Sequence, residues 1–226
     1  MNIKAVDISR MSSPSDVIFD ALRLAITDGS LRENEVLRQD HIAKMFNVSR
    51  IPVREALTRL EEQGLVTTQR YRGAVVAALS FEEIEEIFEF RSILEPEVIR
   101  HSVRNISDES IVLAGEYCEK FSITRDESQW CELNRLFHYS MYRDCERPYY
   151  LQVVSASLNR IERYQRMQLT LTNGMEVAHH EHREILRACA ERNADLAAEL
   201  TRQHILGACR SLINVLSRTR EVGGGS

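Results

Sequence analysis

Four side chains in the second half of the chain have the types and spacing of a metal-ligand set. Asn134 and His138 stand four residues apart and share one face if that segment is helical. His182 follows 44 residues later and His204 another 22 after that, which suits successive antiparallel helices. Three imidazoles converging inside a helical bundle make a nitrogen site for zinc, nickel or a similar divalent ion, with positions left for water or an anionic ligand. The plainer alternative is that each histidine is a surface residue or a satisfied core one. His41, His101, His179 and His180 take that plainer reading.

A second set lies near the other end. Arg50 and Arg54 are four apart, so they share a helix face at its N-terminus, where backbone N–H groups and the dipole attract phosphate. Arginine pairs bidentately with guanine O6 and N7, or with a phosphate. Ser49 can donate to a phosphate as well as cap. Arg70-Tyr71-Arg72-Gly73 puts two cations around an aromatic, and the glycine permits close backbone approach. Two arginines alone would only solvate an exposed helix, so the reading depends on the elements that carry them.

Those elements are mostly helices. Across 226 residues, 9 Gly and 4 Pro argue against a loop-rich or all-β chain. Ser13-Pro14-Ser15-Asp16 opens a first helix with Val17, Ile18, Ala21, Leu22, Ala25 and Ile26 at helical spacing, and Gly29 ends it. A short helix spans Gln39 to Phe46, closed by a left-handed Asn47. Ser49 caps a third helix, Arg50 to Gln63, whose buried face is Val53, Ala56, Leu57 and Leu60. Leu65–Thr68 and Ala74–Ala77 read as a hairpin. This is a winged helix-turn-helix with a two-stranded wing. Ser80-Phe81-Glu82-Glu83 is a capping box that opens a long helix. All that follows reads as a C-terminal all-α bundle, with starts at Ser107-Asp108, Asp126-Glu127, Pro148, Met175 and Asp195. The fold is thus mainly α, with a DNA-binding domain over 10–78, a helical domain over 79–220 and a flexible tail over 221–226.

Composition narrows the function. Net charge is −5, but residues 1–78 carry a net +1 and the remainder −6, so the locally basic segment coincides with the helix-turn-helix. Five cysteines, an odd number without a C-x-x-C pair, speak against a disulfide framework and for a reducing cytoplasm. The longest apolar run is the six residues Ala74–Leu79, against about 20 for a membrane span, and Met1 to Met11 lacks the apolar core of a secretory signal.

The run Leu37-Arg38-Gln39-Asp40-His41-Ile42-Ala43, followed by Val48-Ser49-Arg50-Ile51-Pro52-Val53-Arg54-Glu55-Ala56-Leu57 and later Arg72-Gly73-Ala74-Val75-Val76, closely resembles the winged helix-turn-helix of GntR-family bacterial transcription regulators. The resemblance implies that Arg50 and Arg54 contact DNA, that Gly73 is the wing-tip glycine, and that Arg38, Ser49 and Arg72 belong to the same surface. Many members have arginine where this chain has Asp40. From about Phe81 to Arg218 the chain resembles the C-terminal ligand-binding (FCD) domain of the FadR subfamily, through Arg91-x-x-x-Glu95, Leu136-Phe137-His138, Glu181-His182-Arg183 and His204. That implies a divalent metal, zinc or nickel, at Asn134, His138, His182 and His204, and an effector contact at Arg91. Metal-binding members usually have aspartate where Asn134 stands.

Together these features point to a repressor that binds a double-stranded operator as a homodimer and is switched by a small organic acid, with no enzymatic activity and no membrane association. A metal-dependent hydrolase using the three histidines would need a general base that no motif such as H-E-x-x-H supplies, and would leave the first 78 residues without a purpose. A pure metal sensor is the other alternative.

Overall fold

A computed structural model describes residues 13–172 and 174–223 of the protein. The chain divides after Ala78 into two compact units.

The first unit begins with α1 (Pro14–Thr27), α2 (Gln39–Phe46) and α3 (Arg50–Glu62). Ser13 accepts a hydrogen bond from the Asp16 N–H while the Asp16 carboxylate accepts from the Ser13 N–H, a reciprocal cap on α1. Asn47 closes α2 at φ 53°, in the left-handed region that its short polar side chain tolerates. Val53, Ala56, Leu57 and Leu60 form the buried face of α3 and pack with Ile18, Leu22, Ile26 and Ile42. Arg59 ties α3 to α1, donating to Asp16 at 2.7 Å with its guanidinium 4.2 Å from the Phe19 ring centroid. Ser49 stands at the N-cap of α3, yet its side chain makes no capping hydrogen bond. The capping role expected for it is therefore not realised, and its hydroxyl is exposed.

The wing consists of β1 (Val66–Gln69) and β2 (Gly73–Val76), antiparallel with Val66 opposite Val76 and Gln69 opposite Gly73. Each strand is displaced by one residue from the expected hairpin. A feature not expected from the sequence is that residues 34–37 pair with β2. The N–H groups of Asn34 and Leu37 donate to Val76 and Ala74, and that of Val76 donates to Glu35. The pairing is too short to leave an alternating pattern, but it closes one wing edge and positions the start of α2. Gly73, at φ 78°, adopts a conformation that a side chain would strain.

The second unit is helical: α4 (Phe81–Asn105), α5 (Asp108–Ile123), α6 (Trp130–Tyr142), α7 (Pro148–Leu171), α8 (Gly174–Ala190) and α9 (Ala194–Gly223). The Ser80–Glu83 capping box opens α4 as expected. Residues Glu127–Gln129 form a 3-10 turn rather than the start of an α-helix, with Gln129 donating back to Asp126 at 2.7 Å, so α6 begins at Trp130. The last helix continues through Gly223, into the expected tail, because helix propagation adds a backbone bond per residue. Residues 224–226 of that tail, and residues 10–12 of the expected first domain, lie outside the described residues. One core layer holds Val98, Ile99, Phe137, Met141, Ile185 and Cys189. Another holds Ile84, Phe88, Ile161, Tyr164, Ile205 and Leu212. The five cysteines are free; burial raises Cys118 to about 11 and Cys131 to about 12, so both are thiols.

Leu60 is fully buried on α3 while Ile51 is 59% exposed on the same helix. Leu60→Ala should cost about 2–5 kcal/mol in chemical denaturation of the winged unit. Ile51→Ala should change stability by less than about 0.5 kcal/mol. Equal costs would mean that α3 does not bury the face described.

Candidate DNA-reading surface and histidine site

In the first unit, the sequence-predicted residues Arg38, Ser49, Arg50, Arg54, Arg72 and Gly73 are all exposed. Arg38, Arg50, Arg72 and Gly73 line one open cleft with His41 and Lys44, while Ser49 and Arg54 are not among its lining residues. Arg72 is tethered, donating to the Gln69 side chain at 3.0 Å and to the Asn34 carbonyl at 3.2 Å. Asp40 lines the same cleft and forms an ion pair with Arg50. Exposed basic groups at the N-terminus of a protruding helix, beside a wing, are the arrangement that enters a DNA groove.

In the second unit, α6 carries Asn134 and His138, α8 carries His182, and α9 carries His204. The three histidines are buried, and one nitrogen from each lies within 4.8 Å of the others. His182 stacks on Phe137 with ring centroids 4.2 Å apart and meets Phe121 at 5.2 Å. This apolar burial holds His138 and His182 well below the usual histidine range, with the neighbouring imidazoles adding to the effect. Both rings are therefore neutral and carry lone pairs. The His138 Nε2 and both nitrogens of His182 have no hydrogen-bond partner.

Two hydrogen-bond systems orient the outer rings. The Glu181 carboxylate on α8 lies 2.7 Å from His204 Nδ1, so that nitrogen donates and Nε2 is the one turned away from Glu181. On the other side, Arg91 Nε donates to Glu95 at 2.6 Å and the Tyr142 hydroxyl donates to the other Glu95 oxygen at 2.9 Å. Tyr142 has only one proton to give. The His138 Nδ1, 3.4 Å from the Tyr142 oxygen, must then be the donor of that contact, leaving Nε2 bare. Orphaned buried nitrogens in a three-imidazole cluster fit a divalent cation. His138, His182 and His204 would hold it, and when bound it would supply a positive anchor for an anionic oxygen. Asn134 is half-buried and lines the adjoining cavity with His204 and Glu181.

That cavity has a volume of about 240 Å³, with Gln165, Gln168, Thr172 and Ser211 also on its wall. Its described lining contains no Arg or Lys. Arg91 is buried in its pair with Glu95 rather than lining this cavity, and its Nη1 is left without a partner. Glu95 and Glu181 stand within motifs legible in the sequence, but the contacts of Glu181 and Tyr142 are not, because their partners His204 and Glu95 lie on other helices.

An exposed basic helix-turn-helix with a wing, joined in one chain to a helical unit with a histidine site, defines a DNA-binding transcription regulator. The comparisons agree. The profile described as bacterial regulatory proteins of the gntR family matches residues 14–76, and the FCD domain profile matches residues 86–207. The chain belongs to the GntR family and carries an FCD domain. It is 28% identical to the HTH-type transcriptional regulator BphR of Paraburkholderia xenovorans, over 88% of this chain and 85% of that one. It is also 28% identical to the HTH-type transcriptional repressor GlaR of Escherichia coli, over 82% and 89%. A solved GntR-family regulator from Pseudomonas syringae pv. tomato is 30% identical, covering 94% and 89%, with a TM-score of 0.56. These relatives and families are regulators, not enzymes. FCD domains often bind metal. Among the described residues, no helix is long and apolar enough to cross a membrane.

The buried neutral histidines have a measurable consequence in metal-free protein. Unfolded, each titrates near 6.5; folded, His138 and His182 resist protonation. The unfolded state therefore binds more protons below about pH 6.5, and stability must fall as pH falls. Between pH 7 and pH 5 each ring should remove up to about 2 kcal/mol. Urea unfolding of chelator-treated protein at both pH values measures this, and a flat profile would show that the rings are not buried neutral.

Proposed function

We propose that this protein is a ligand-responsive repressor: a homodimer that binds a near-palindromic operator and is switched by a small carboxylate held at a divalent metal on His138, His182 and His204. The carrying observation is the cluster of three buried imidazoles beside a polar cavity, in which His138 Nε2 and both nitrogens of His182 lack a partner. Leaving such atoms without partners costs free energy that a cation would recover.

The cavity supports a small acid rather than a long acyl chain. Its volume of about 240 Å³ lies below the usual range for drug-sized ligands. Among its described lining residues the acidic one is Glu181, whose carboxylate would repel an anion arriving alone. A metal reverses that balance, and Asn134, being neutral, adds no repulsion of its own. The side-chain amides of Gln165 and Gln168 and the Ser211 hydroxyl then suit hydroxyl or carbonyl groups on the acid. Arg91, buried against Glu95 and off the cavity wall, acts on the site through the Glu95–Tyr142–His138 chain of contacts. Switching requires that the acid bind the operator-free state more tightly than the operator-bound one, and α4, which carries Arg91 and Glu95, follows the winged unit directly in the chain.

A second copy of the chain is supported by a groove between α4 and α7. Phe90 and Tyr149 stand on it 44% and 72% exposed, with Ile87, Val153 and Ala156 beside them. Exposed apolar rings flanking a groove are the usual mark of a protein–protein contact. A dimer places two recognition helices about one DNA turn apart, on the two halves of an inverted repeat.

Protein purified without chelator or metal-affinity resin should carry about one divalent ion per chain by elemental analysis, lost in His138→Ala and His182→Ala. Retention of wild-type metal affinity by both variants would refute the site. Small chelating acids should then release an operator selected from a random DNA pool, and release by metal alone would instead indicate a metal sensor. Phe90→Glu should give a monomer by light scattering, with operator affinity reduced at least about tenfold. A Phe90→Glu protein that stays dimeric would place the interface elsewhere.

A further inference from the structure

The cleft on the winged unit contains a charge of the wrong sign. Asp40 lies in the first turn of α2 and Arg50 opens α3, and the Arg50 Nε meets the Asp40 Oδ1 in an ion pair. Both side chains are largely exposed, at 69% for Arg50 and 61% for Asp40. They line the cleft with Arg38, His41, Lys44 and Arg72. Among the described residues of that lining, Asp40 is the only acidic one. A carboxylate on a phosphate-facing surface weakens DNA binding by like-charge repulsion. Stability does not account for it either, since exposed ion pairs contribute little to a fold.

What the carboxylate does is restrict one arginine. An unrestrained arginine samples many rotamers and satisfies itself on phosphate oxygens as readily as on a base edge. The Asp40 carboxylate, paired at Nε, occupies that edge of the guanidinium and leaves its two Nη groups as the free fork. That fork matches O6 and N7 of guanine.

We propose that Asp40 is a positioning residue that determines operator specificity: by holding Arg50 at Nε it makes Arg50 a guanine reader rather than a phosphate contact, so that each operator half-site requires a G·C pair at the position Arg50 faces. This rests on the operator-binding reading and is independent of the metal site. It follows that Asp40 acts in opposite directions on two affinities. It weakens binding to random-sequence DNA and strengthens rejection of the wrong base. A residue needed only for folding would weaken both when replaced.

The test starts by selecting an operator with the full-length wild-type protein from a randomised duplex pool. Dissociation constants are then measured by fluorescence anisotropy for that operator, for each single base-pair substitution and for a random duplex. The proteins are wild type, Arg50→Ala, Asp40→Ala, Asp40→Asn and the double variant Asp40→Ala/Arg50→Ala. Arg50→Ala identifies the pair that Arg50 reads. Wild type should discriminate there by about 5- to 150-fold. Asp40→Ala should reduce discrimination at that same pair to about threefold or less, while random-duplex binding tightens by up to about tenfold at moderate salt. Asp40→Asn, which keeps the volume and loses the charge, should fall between the two and guards against a folding failure of Asp40→Ala. The double variant should discriminate no less than Arg50→Ala alone. Undiminished preference in both Asp40 variants overturns the proposal. So does a loss of preference at a pair that Arg50→Ala leaves unaffected, which would make Asp40 a base reader in its own right. A pool from which wild type enriches no sequence overturns the operator reading itself.

Discussion

Burying three imidazoles within 4.8 Å of one another is possible only if the rings stay neutral and their nitrogens are accounted for. The second unit is arranged around that constraint. Apolar surroundings, Phe121 and Phe137 foremost, keep protons off His138 and His182. Carboxylates placed outside the cluster, Glu181 directly and Glu95 through Tyr142, take the outer N–H groups of His204 and His138. His138 is thereby turned so that Nε2 is bare, and His204 so that Nδ1 faces Glu181. The helices that supply these groups are α4, α5, α6, α8 and α9, so the site and the packing of the bundle are one problem.

The same constraint explains where charge sits. A carboxylate inside the cluster would add attraction for a cation, but this chain has the neutral Asn134 at that place in the sequence. The Glu181 carboxylate acts instead on the Nδ1 of His204. Negative charge is thus spent on orienting a ligand ring and not on the first contact with a cation, which leaves the cavity less hostile to an anion.

In the winged unit the governing interaction is different, since its functional groups are exposed and gain little from one another. There the buried face of α3 does the positioning. Val53, Ala56, Leu57 and Leu60 fix the helix, and the opposite face carries Arg50 and Arg54 outward without any buried polar group. The short pairing of residues 34–37 with β2 brings the Arg38 end of the cleft to the wing, where Arg72 reaches the Asn34 carbonyl. The reading surface is thus carried by an apolar frame, with the Asp40–Arg50 pair and the Arg72 contacts as polar ties among the exposed groups.

The local elements were legible in the sequence because their causes are local. The Ser13 and Ser80 capping boxes, the left-handed Asn47 and the apolar face of α3 depend on residues within one or two helical turns, and each occurs where the pattern predicts. The histidines, too, could be chosen by type and spacing. The sequence could not show that residues 34–37 join the wing, since four residues carry too little periodicity to mark a strand. Nor could it show that the Ser49 side chain leaves its cap unmade, which depends on rotamer choice. For Arg91 the resemblance implies an effector contact, and only the packed helix shows its guanidinium held by Glu95 with Nη1 bare. By itself the sequence determined most of the elements, the family and which histidines to consider together. Tertiary structure alone decided how the outer imidazoles are oriented, because His204 meets Glu181, 23 residues away, and the Tyr142 beside His138 gives its proton to Glu95, 47 residues from it.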